Sequence, residues 1–362
     1  MKFFLSSGGT GGHIFPAEAL AEELIQRGHE VIFITDERYK NYDGSEKKFR
    51  IEKIPTATLK GGVFSKLKAL TKIFFGIMVA LKILVRNRGG VVIGFGGYPS
   101  FPAIIAARIL SLKIIIHEQN AVLGIANRAL APLADIIATS FLEVRDITVG
   151  NARKICYIGN PVRGAIAEVH DRPYPEIDKN LNILVIGGSL GATIFSDVVP
   201  AALAKLEPGI RKKIKISQQA RAEDVERVKK NYAEIGIIAE VENFFTDVPK
   251  RLAAAHLVIA RAGASTVVEL AVAGRPSILV PYPDSKGDHQ LYNARSLEKI
   301  GGAWVVEQQN FTPEALAFRL ETIIMNPEPL LLAAENAKKA AGLKAAEKLA
   351  ALAEKLGAEK LC

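Results

Sequence analysis

A strand, a glycine-rich loop and a helix follow one another near residue 8, and the same order recurs near residue 187. In the first copy the apolar run Phe3–Leu5 precedes the loop Gly8–His13 (GGTGGH), and Pro16 opens a helical pattern. In the second copy Ile183–Ile186 precedes Gly187–Ala192 (GGSLGA) and another helical pattern. Such a turn brings bare backbone N–H groups and a helix N-terminus to one point, where negative charge is favoured. The two copies predict two similar α/β domains, each with an anion cradle.

His13 lies at the edge of the first loop. A nearby helix N-terminus disfavours the protonated imidazole, so the ring would stay neutral and able to accept a proton. A tight turn with a helix-capping histidine explains the same residues, and one glycine loop by itself is weak evidence. Both interpretations remain open from the local sequence.

Apolar runs alternate with helical patterns along the whole chain, which predicts parallel sheets covered by helices on both faces. The predicted fold class is α/β, with two Rossmann-like, doubly wound parallel-sheet domains that face each other across a cleft. Ligands of such sheets bind at the carboxyl ends of the strands. The predicted strands are Phe3–Ser6, Val31–Thr35, Val91–Phe95, Ile114–His117, Ile136–Thr139, Ile155–Ile158, Ile183–Gly187, Lys213–Ser217, Ala239–Val241, Leu257–Ala260, Ser277–Val280 and Ala303–Val306.

The predicted domain boundary falls near Gly159-Asn160-Pro161. We expect an N-terminal domain over residues 1–158, a C-terminal domain over 159–328 and a terminal helical segment over 329–362. The Ala-, Lys- and Glu-rich tail from Leu330 to Leu356 is typical of one or two long helices. A plain surface helix explains this tail as well as a binding role does.

The composition is that of a globular protein in a reducing compartment. The 362 residues are 49% hydrophobic, and the chain has only two cysteines, which give neither a disulfide framework nor metal-ligand spacing. The apolar N-terminus is too short for a signal peptide and runs straight into the glycine loop. We therefore expect a protein of the cytosol.

Positive charge is concentrated in the first part of the chain. Residues 1–158 contain 21 Lys and Arg against 13 Asp and Glu, whereas residues 159–362 contain 26 against 25. The first part should therefore face an anionic partner, which is a membrane surface, a nucleic acid or a phosphorylated substrate.

The segment Lys66–Arg88 combines basic and apolar residues. Its central apolar run, Ile73–Leu81, is too short to span a bilayer, which needs about 20 apolar residues. On a helix, Lys68, Lys72, Lys82 and Arg86 fall within about 80° of one another beside a broad apolar surface, the pattern of an interfacial helix on anionic lipid. The alternative is a core helix with one solvent-exposed face.

Two further segments of the first part place polar or glycine residues at strand ends. Gly94–Ser100 (GFGGYPS) follows a predicted strand and is a second candidate anion cradle, although simple turn chemistry also explains it. His117–Asn120 (HEQN) ends a buried strand, where polar side chains are costly to bury without partners. A site at the cleft explains this segment, and so does a solvated loop.

In the second part, the segment Arg261–Thr266 (RAGAST) opens a helix that could hold a diphosphate, and Glu269 one turn later could bind ribose hydroxyls. Thr266 and Glu269 also fit a capping box, which needs no ligand. A polar cluster, Asp288–Ala294, precedes another helix, and Arg163 at the domain junction could reach a phosphate.

Some chemistry is absent from the sequence. There is no Asp-x-Asp pair for a metal–nucleotide complex, no Cys/His cluster with metal spacing and no P-loop motif. We therefore expect neither a metal site nor a cofactor.

Taken together, these segments resemble the MurG family of bacterial glycosyltransferases. The matching segments occur in the order of the family over most of the chain: Gly8–Ala17, Gly94–Pro102, His117–Asn127, Gly159–Arg163, Gly187–Ala192, Arg261–Glu269 and Asp288–Ala294. The resemblance implies the GT-B architecture and an inverting transfer of N-acetylglucosamine (GlcNAc) from UDP-GlcNAc to lipid I, the undecaprenyl-pyrophosphate-linked muramyl pentapeptide. It also implies a terminal helix that crosses back to the first domain, and a peripheral enzyme on the cytoplasmic face of the membrane with no transmembrane helix. With this family in view, we expect residues 66–88 to contact an anionic membrane surface, and we expect no nucleic-acid partner.

The resemblance also assigns roles to residues. It implies that His13 is the general base. The UDP-GlcNAc contacts that it implies are Thr10, Gly11, Gly12, Asn120, Arg163, Ser189, Phe245, Ala264, Ser265, Thr266, Glu269 and Gln290. The implied acceptor contacts are Gly8, Gly9, Gly96, Gly97, Tyr98, His117 and Glu118.

Three other classes of protein share parts of this pattern. A dinucleotide-dependent oxidoreductase would begin with the same strand, loop and helix, and Asp36 ends the second strand where a ribose ligand would lie; however, Ile14 replaces the third glycine of its fingerprint. A basic membrane- or nucleic-acid-binding scaffold explains the charge of the first part but not the polar clusters of the second. A UDP-GlcNAc 2-epimerase would use a similar cleft.

Overall fold

The computed structural model describes residues 1–8, 11–39, 48–58, 62–177, 180–188 and 191–359. The chain divides into two compact units. The first contains Met1–Arg163 and the C-terminal segment from Lys344, and the second contains Gly164–Leu343. The domains over residues 1–158, 159–328 and 329–362 remain a prediction.

Within the described residues, the strands and helices alternate along the chain. The strands are β1 (Lys2–Ser6), β2 (Glu30–Thr35), β3 (Arg50–Lys53), β4 (Val91–Gly94), β5 (Lys113–Glu118), β6 (Ile136–Thr139), β7 (Ile155–Tyr157), β8 (Leu181–Ile186), β9 (Ile214–Gln219), β10 (Ile238–Glu242), β11 (Leu257–Ala260), β12 (Ser277–Leu279) and β13 (Ala303–Val305). The helices are α1 (Gly11–Gln26), α2 (Val63–Arg86), α3 (Ser100–Ile109), α4 (Ile125–Leu130), α5 (Val149–Ala152), α6 (Gly164–His170), α7 (Thr193–Ala204), α8 (Pro208–Arg211), α9 (Val225–Glu234), α10 (Val248–Ala254), α11 (Ala264–Ala273), α12 (His289–Glu298), α13 (Pro313–Met325), α14 (Glu328–Lys339) and α15 (Ala345–Ala358).

The first unit is built on a parallel sheet in the order β3-β2-β1-β4-β5-β6-β7. Its central strands are apolar on both faces, because helices cover both. Phe3 and Leu5 of β1 point to a core that includes α1 and α15, whereas Phe4 points to a core that includes α2 and α3. The strand order reverses between β1 and β4, so the loops that follow these two strands flank the crevice where such sheets bind ligands.

The second unit repeats this plan with a parallel sheet in the order β10-β9-β8-β11-β12-β13. Its strand order reverses between β8 and β11, and the loops that follow these strands contain Gly187 and Gly263. Both glycine loops predicted from sequence therefore lie at a switch point, as the doubly wound fold requires.

Strand β3 and the two helices of the C-terminal tail were not fully predicted from the sequence. Strand β3 was not predicted, because its sequence RIEK is polar; it lies at the sheet edge, where one side of the backbone needs no partner strand. The C-terminal tail forms two helices. Of these, α14 lies in the second unit and α15 in the first, where Leu349 and Ala353 are buried in the core. The interpretation of the tail as a plain surface helix is therefore wrong for α15.

Candidate active site

The loops after β1 and β4 touch at the switch point of the first sheet. A Cβ atom on Gly97, which has a φ of +76°, would lie 2.4 Å from the carbonyl oxygen of Gly8. A Cβ atom on Gly8 would lie 2.5 Å from Cγ of Pro99. The hydroxyl of Ser100 donates to the carbonyl oxygen of Gly96 at 2.7 Å and holds the second loop closed. Two backbones approach this closely only because glycines stand at the contact.

Hydrogen bonds connect His13 of α1 to the end of β5. Nδ1 of His13 lies 2.8 Å from Oε1 of Gln119, and Nε2 of Gln119 lies 2.9 Å from Nδ1 of His117. Nε2 of His117 lies 3.1 Å from the carbonyl oxygen of Gly159. His117 is fully buried, and burial lowers its pKa to about 4 despite the bond to Gly159. The structure thus joins the two predicted histidines through Gln119, which was not among the predicted residues.

The carboxylate of Glu118 organises the loop that follows β5. Its Oε1 accepts hydrogen bonds from the backbone and side-chain nitrogens of Asn120 at 2.9 and 3.0 Å. Its Oε2 accepts from the backbone of Gly124 at 2.8 Å and from the side chain of Asn127 at 2.9 Å. Glu118 is only 1% exposed, so the interpretation of this segment as a solvated loop is wrong. Its carboxylate holds Asn120 in place.

An ion pair at the end of β2 supports the loop after β4. Asp36 is buried and accepts hydrogen bonds from Arg38 and from the hydroxyl of Thr56, the latter at 3.0 Å. Burial raises the pKa of Asp36, but the hydrogen bonds from Arg38 and Thr56 outweigh it and lower the pKa below its usual value. The Arg38 guanidinium lies 4.7 Å from the ring centroid of Tyr98. These contacts already occupy Asp36, which disfavours a role as a ribose ligand.

The last residues of the first unit bring polar groups to the same end of its sheet. The guanidinium of Arg163 lies 4.6 Å from the ring centroid of Phe15 in α1. Asn160 is 1% exposed, and neither atom of its amide has a hydrogen-bond partner among the described residues. Buried amides are normally paired, so the amide of Asn160 is an exception among the described side chains at this end of the sheet.

In the second unit, glycines again close the loop at the switch point. A Cβ atom on Gly187 would lie 2.5 Å from the backbone nitrogen of Ala192, which precedes α7. Gly188 and Gly191 have φ values of +80° and +69°. The loop therefore depends on backbone conformations that favour glycine.

Helix α11 begins at the carboxyl end of β11. Its N-cap is Gly263, without a side-chain capping bond, so Thr266 lies inside the first turn and the capping-box alternative is wrong. Arg261, just before the helix, donates to the carbonyl oxygen of Val280 at 3.1 Å and to Oε1 of Gln308 at 2.5 Å. Burial lowers the pKa of Arg261. The helix N-terminus thus lies beside a fixed positive charge, which suits a diphosphate.

The remaining predicted donor contacts lie on other loops of the same unit. Oε1 of Gln290 accepts a hydrogen bond from the backbone nitrogen of Tyr282 at 3.0 Å. The ring of Phe245 is buried, with the guanidinium of Arg251 3.8 Å from its centroid. The ring of Phe245 therefore packs inside the unit and is not exposed to a ligand.

The comparisons with known proteins agree over nearly the whole chain. Residues 3–139 match the glycosyltransferase family 28 N-terminal domain, and residues 182–354 match the C-terminal domain of that family. The UDP-N-acetylglucosamine–N-acetylmuramyl-(pentapeptide) pyrophosphoryl-undecaprenol N-acetylglucosamine transferase of Rhodospirillum centenum is 49% identical over 335 residues, which are 92% of this chain and 88% of the relative. This chain belongs to glycosyltransferase family 28.

Solved structures support the same assignment. The crystal structure of Acinetobacter baumannii MurG has a TM-score of 0.79 and 32% identity, covering 98% of this chain and all of that one. The predicted GT-B fold, with two Rossmann-like parallel sheets, is confirmed, as is the prediction of a glycosyltransferase rather than an oxidoreductase or a scaffold. A putative UDP-N-acetylglucosamine 2-epimerase from Listeria monocytogenes has a TM-score of 0.69 at 14% identity, over 98% of this chain and 96% of that one, and shows only that the fold is shared.

Of the predicted site residues, the structure places one set in the first unit and another in the second, at the carboxyl ends of the strands or in the segments that follow them. The first set is Gly8, Gly11, Gly12, His13, Gly96, Gly97, Tyr98, His117, Glu118, Asn120 and Arg163; the second is Phe245, Ala264, Ser265, Thr266, Glu269 and Gln290. Gly9, Thr10 and Ser189 lie outside the described residues. The ligand roles of all these residues stay predictions.

Four residues that support this site had no role of their own in the sequence analysis, namely Arg38, Gln119, Asn127 and Arg261. Gln119 carried a signal, since it lies between predicted residues at the end of an apolar strand. Arg38 carried none, because its contact with Tyr98 is made only in the folded chain.

Two kinds of feature are absent from the described ranges. No three His, Cys, Asp or Glu side chains lie together in an arrangement that could hold a metal ion. None of the helices there combines the length and apolar composition needed to cross a bilayer.

Proposed function

We propose that this chain transfers N-acetylglucosamine, with inversion, from UDP-GlcNAc to the C4 hydroxyl of the MurNAc sugar in undecaprenyl-pyrophosphoryl-MurNAc-pentapeptide. The reaction converts lipid I to lipid II in peptidoglycan synthesis. The observation that carries the proposal is the 49% identity, over 92% of the chain, to the Rhodospirillum centenum transferase named for this reaction. The helix N-termini at both switch points support it, since both substrates contain a pyrophosphate.

The second unit binds the nucleotide in this proposal. The N-terminus of α11 holds the diphosphate, Glu269 binds the ribose hydroxyls, and the backbone of Phe245 binds the uracil ring. The further donor contacts that we propose are Ser189, Gln290 and Arg163, with Thr10, Gly11, Gly12 and Asn120 toward the donor sugar. Hydrogen bonds to the backbone fix the side chains of Arg261 and Gln290, which supports a role of this unit in nucleotide binding.

The first unit binds the acceptor. Its two glycine loops present backbone N–H groups to the lipid pyrophosphate through Gly8, Gly9, Gly96 and Gly97. The neighbouring side chain of Tyr98 completes the acceptor contacts. His117 and Glu118 contribute to acceptor binding indirectly, by holding His13 and the loop after β5 in place.

His13 acts as the general base. It removes the proton of the acceptor hydroxyl while that oxygen attacks the anomeric carbon of the donor. The bond from that carbon to the diphosphate oxygen breaks, and its electron pair leaves with UDP. The N-terminus of α11 and Arg163 stabilise the developing negative charge, since the sequence offers no Asp-x-Asp pair for a metal–nucleotide complex.

The direct test measures transfer of labelled N-acetylglucosamine from UDP-GlcNAc to a lipid I analogue, with and without a chelator. We expect transfer that requires the acceptor and survives chelation. Consumption of UDP-GlcNAc without an acceptor would instead indicate an epimerase. Firm UDP binding with no transfer would mean a different acceptor.

A variant separates the role of His13 from substrate binding. We expect His13→Ala to lower turnover by about 10²–10⁴-fold, the usual contribution of a general base, and to leave UDP binding nearly intact. Wild-type turnover in this variant would show that the base is another group.

We also propose that α2 holds the enzyme on the cytoplasmic face of an anionic membrane. The side of α2 that faces away from the core exposes Phe64, Leu67, Leu70, Phe74, Phe75 and Met78. Lys68, Lys72, Lys82 and Arg86 lie along one border of this apolar face. An apolar face bordered by basic side chains suits the surface of anionic lipid, where the lipid-linked acceptor resides.

A further inference from the structure

The hydrogen bonds that reach His13 have a fixed direction. A backbone carbonyl only accepts, so Nε2 of His117 must carry the proton that it shares with Gly159 at 3.1 Å. Nδ1 of the neutral His117 ring then has a lone pair and accepts from the side-chain NH₂ of Gln119 at 2.9 Å. The amide oxygen of Gln119 is thereby turned toward His13 and accepts from its Nδ1 at 2.8 Å.

A second hydrogen bond also determines the orientation of the Gln119 amide. Its nitrogen also donates to the carbonyl oxygen of His117 at 3.1 Å, so both acceptors of the NH₂ group belong to one residue. A reversed amide would place its oxygen against that carbonyl and against a ring nitrogen that has no proton. Because Gln119 is 1% exposed, water cannot compensate for those repulsive contacts.

We propose that Gln119 is a positioning residue that fixes the tautomer of His13, with the proton on Nδ1 and the lone pair on Nε2. The Gly159 carbonyl, through His117, decides which way the amide points. The inference rests on the proposed function, in which the Nε2 lone pair accepts the proton of the acceptor hydroxyl. Without this chain of bonds either ring nitrogen can carry the proton, and only one of the two forms is a base at Nε2.

Burial supports the neutral state of His117 that this direction requires. The ring is fully enclosed, and its pKa of about 4 keeps it neutral at neutral pH. Gly96 lies beside His13 on another side, since a Cβ atom on Gly96 would lie 3.3 Å from Cε1 of the His13 ring. The ring is thus held both in position and in protonation pattern.

The test compares Gln119→Met, which removes the amide, with Gln119→Glu, which keeps an oxygen that can accept from Nδ1 of His13. The tautomer is read from ¹⁵N NMR of the histidine rings, with the His13 signals assigned by their loss in His13→Gln. Turnover and the KM for UDP-GlcNAc are measured at about pH 8.5, where histidine side chains are ordinarily neutral. Gln218→Met, a buried glutamine of β9 in the second unit, is the matched control for the NMR measurement.

We expect His13 in the wild type and in Gln218→Met to carry its proton on Nδ1. In Gln119→Met a form protonated on Nε2 should appear, kcat should fall by about 10- to 10²-fold, within the contribution of a general base, and KM should stay unchanged. Gln119→Glu should keep the proton on Nδ1 of His13, because a carboxylate oxygen can only accept there. Its second oxygen replaces the donor to His117, so we expect kcat to lie between the values of Gln119→Met and the wild type.

A His13 ring that keeps its proton on Nδ1 in Gln119→Met would overturn the proposal, whatever the activity. A changed tautomer with unchanged kcat would overturn the link to catalysis. If Gln119→Met does not fold, Gln119→Glu decides alone, and a proton on Nε2 in that variant contradicts the proposal. Failure of the proposed base role appears separately, as unchanged turnover in His13→Ala.

Discussion

His117 shows how the fold sets the chemistry of a single residue. Its ring is enclosed at the end of β5, and burial is the main reason for its pKa of about 4. The hydrogen bond to Gly159 acts in the opposite direction, and the nearby His13 adds a small further lowering. A histidine of this kind is a neutral structural link rather than a proton carrier at neutral pH.

We expect this buried ring to make the first unit less stable as the pH falls from 7 to 5. Unfolded histidine titrates near pH 6.5, so the unfolded chain gains a proton there that the native ring does not accept until about pH 4. The free energy of unfolding should therefore fall by about 2 kcal/mol, measured by urea denaturation. His117→Gln should lose this dependence and His289→Gln, at the partly exposed start of α12, should keep it. An equal pH dependence in all three proteins would refute the assignment.

Gly96 offers a second prediction at this scale. It has a φ of +83°, and a Cβ atom there would press on the His13 ring at 3.3 Å. Gly96→Ala should lower turnover because the ring moves, whereas UDP binding should persist. Gly28→Ala is the matched control, because Gly28 has a φ of +80° but no atom within 4 Å of the added Cβ. Backbone strain of about 1–2 kcal/mol is common to both variants, so equal turnover would show that the ring contact is unimportant.

At the scale of elements, α2 packs against the core with one side and exposes apolar side chains on the other. Gly76 lets it approach the rest of the first unit, since a Cβ atom there would lie 2.3 Å from the carbonyl oxygen of Pro55. Ala80 and Leu84 on the same side join the core. The opposite side exposes large apolar side chains, which a purely internal helix would not do. The core-helix alternative therefore accounts for one side of α2 only.

We expect Phe74→Ser with Phe75→Ser to weaken binding to vesicles that contain anionic lipid. These side chains are 59% and 61% exposed, so the folded state should tolerate the change. Each lost aromatic contact with lipid removes about 1.5–3 kcal/mol at full burial, and co-sedimentation measures the loss. Phe318→Ser, at a position 73% exposed in the second unit, is the control that should bind like the wild type. Equal binding of all three proteins would exclude α2 as the membrane contact.

At the scale of the whole molecule, the C-terminal helix completes the unit that the N-terminus begins. Leu349, Ala353 and Leu356 of α15 belong to the same core as Phe3 and Leu5 of β1. Glu354 also forms ion pairs with Arg27 and His29, at 2.9 and 2.7 Å. Helix α15 and strand β1 therefore share one core.

Leu349→Asp should destabilise the first unit and leave the second folded. A buried charge without a partner costs several kcal/mol, and here it would lie in the core below β1 and β4. Hydrogen exchange should speed up in β1 and β4 and stay unchanged in β8 and β11. Leu332→Asp, at a position 60% exposed in α14, is the control. Equal loss of protection in both units would mean that they unfold together.

Most of the fold could be predicted from the sequence because its signals are local. Apolar runs of strand length, interrupted by helical periodicity, predicted twelve of the strands, and the glycine loops marked both switch points. Strand β3 escaped prediction because an edge strand needs no apolar faces. The capping-box alternative at Thr266 was wrong because the helix begins two residues earlier, at Ala264.

The sequence by itself determined the two-sheet architecture, because apolar runs and helical patterns alternate along the chain, and the glycine loops, because each lies within one short segment. The resemblance of these segments to a family made His13 the candidate base. Only the tertiary structure decided which groups control that base. His13 and Gln119 are 106 residues apart in the chain, and Gly159 lies farther still. Their bonds exist because the carboxyl ends of parallel strands and the start of α1 meet at one edge of a sheet. Hydrogen bonds between distant segments leave no periodicity in a sequence, and only packing brings their partners within 3 Å.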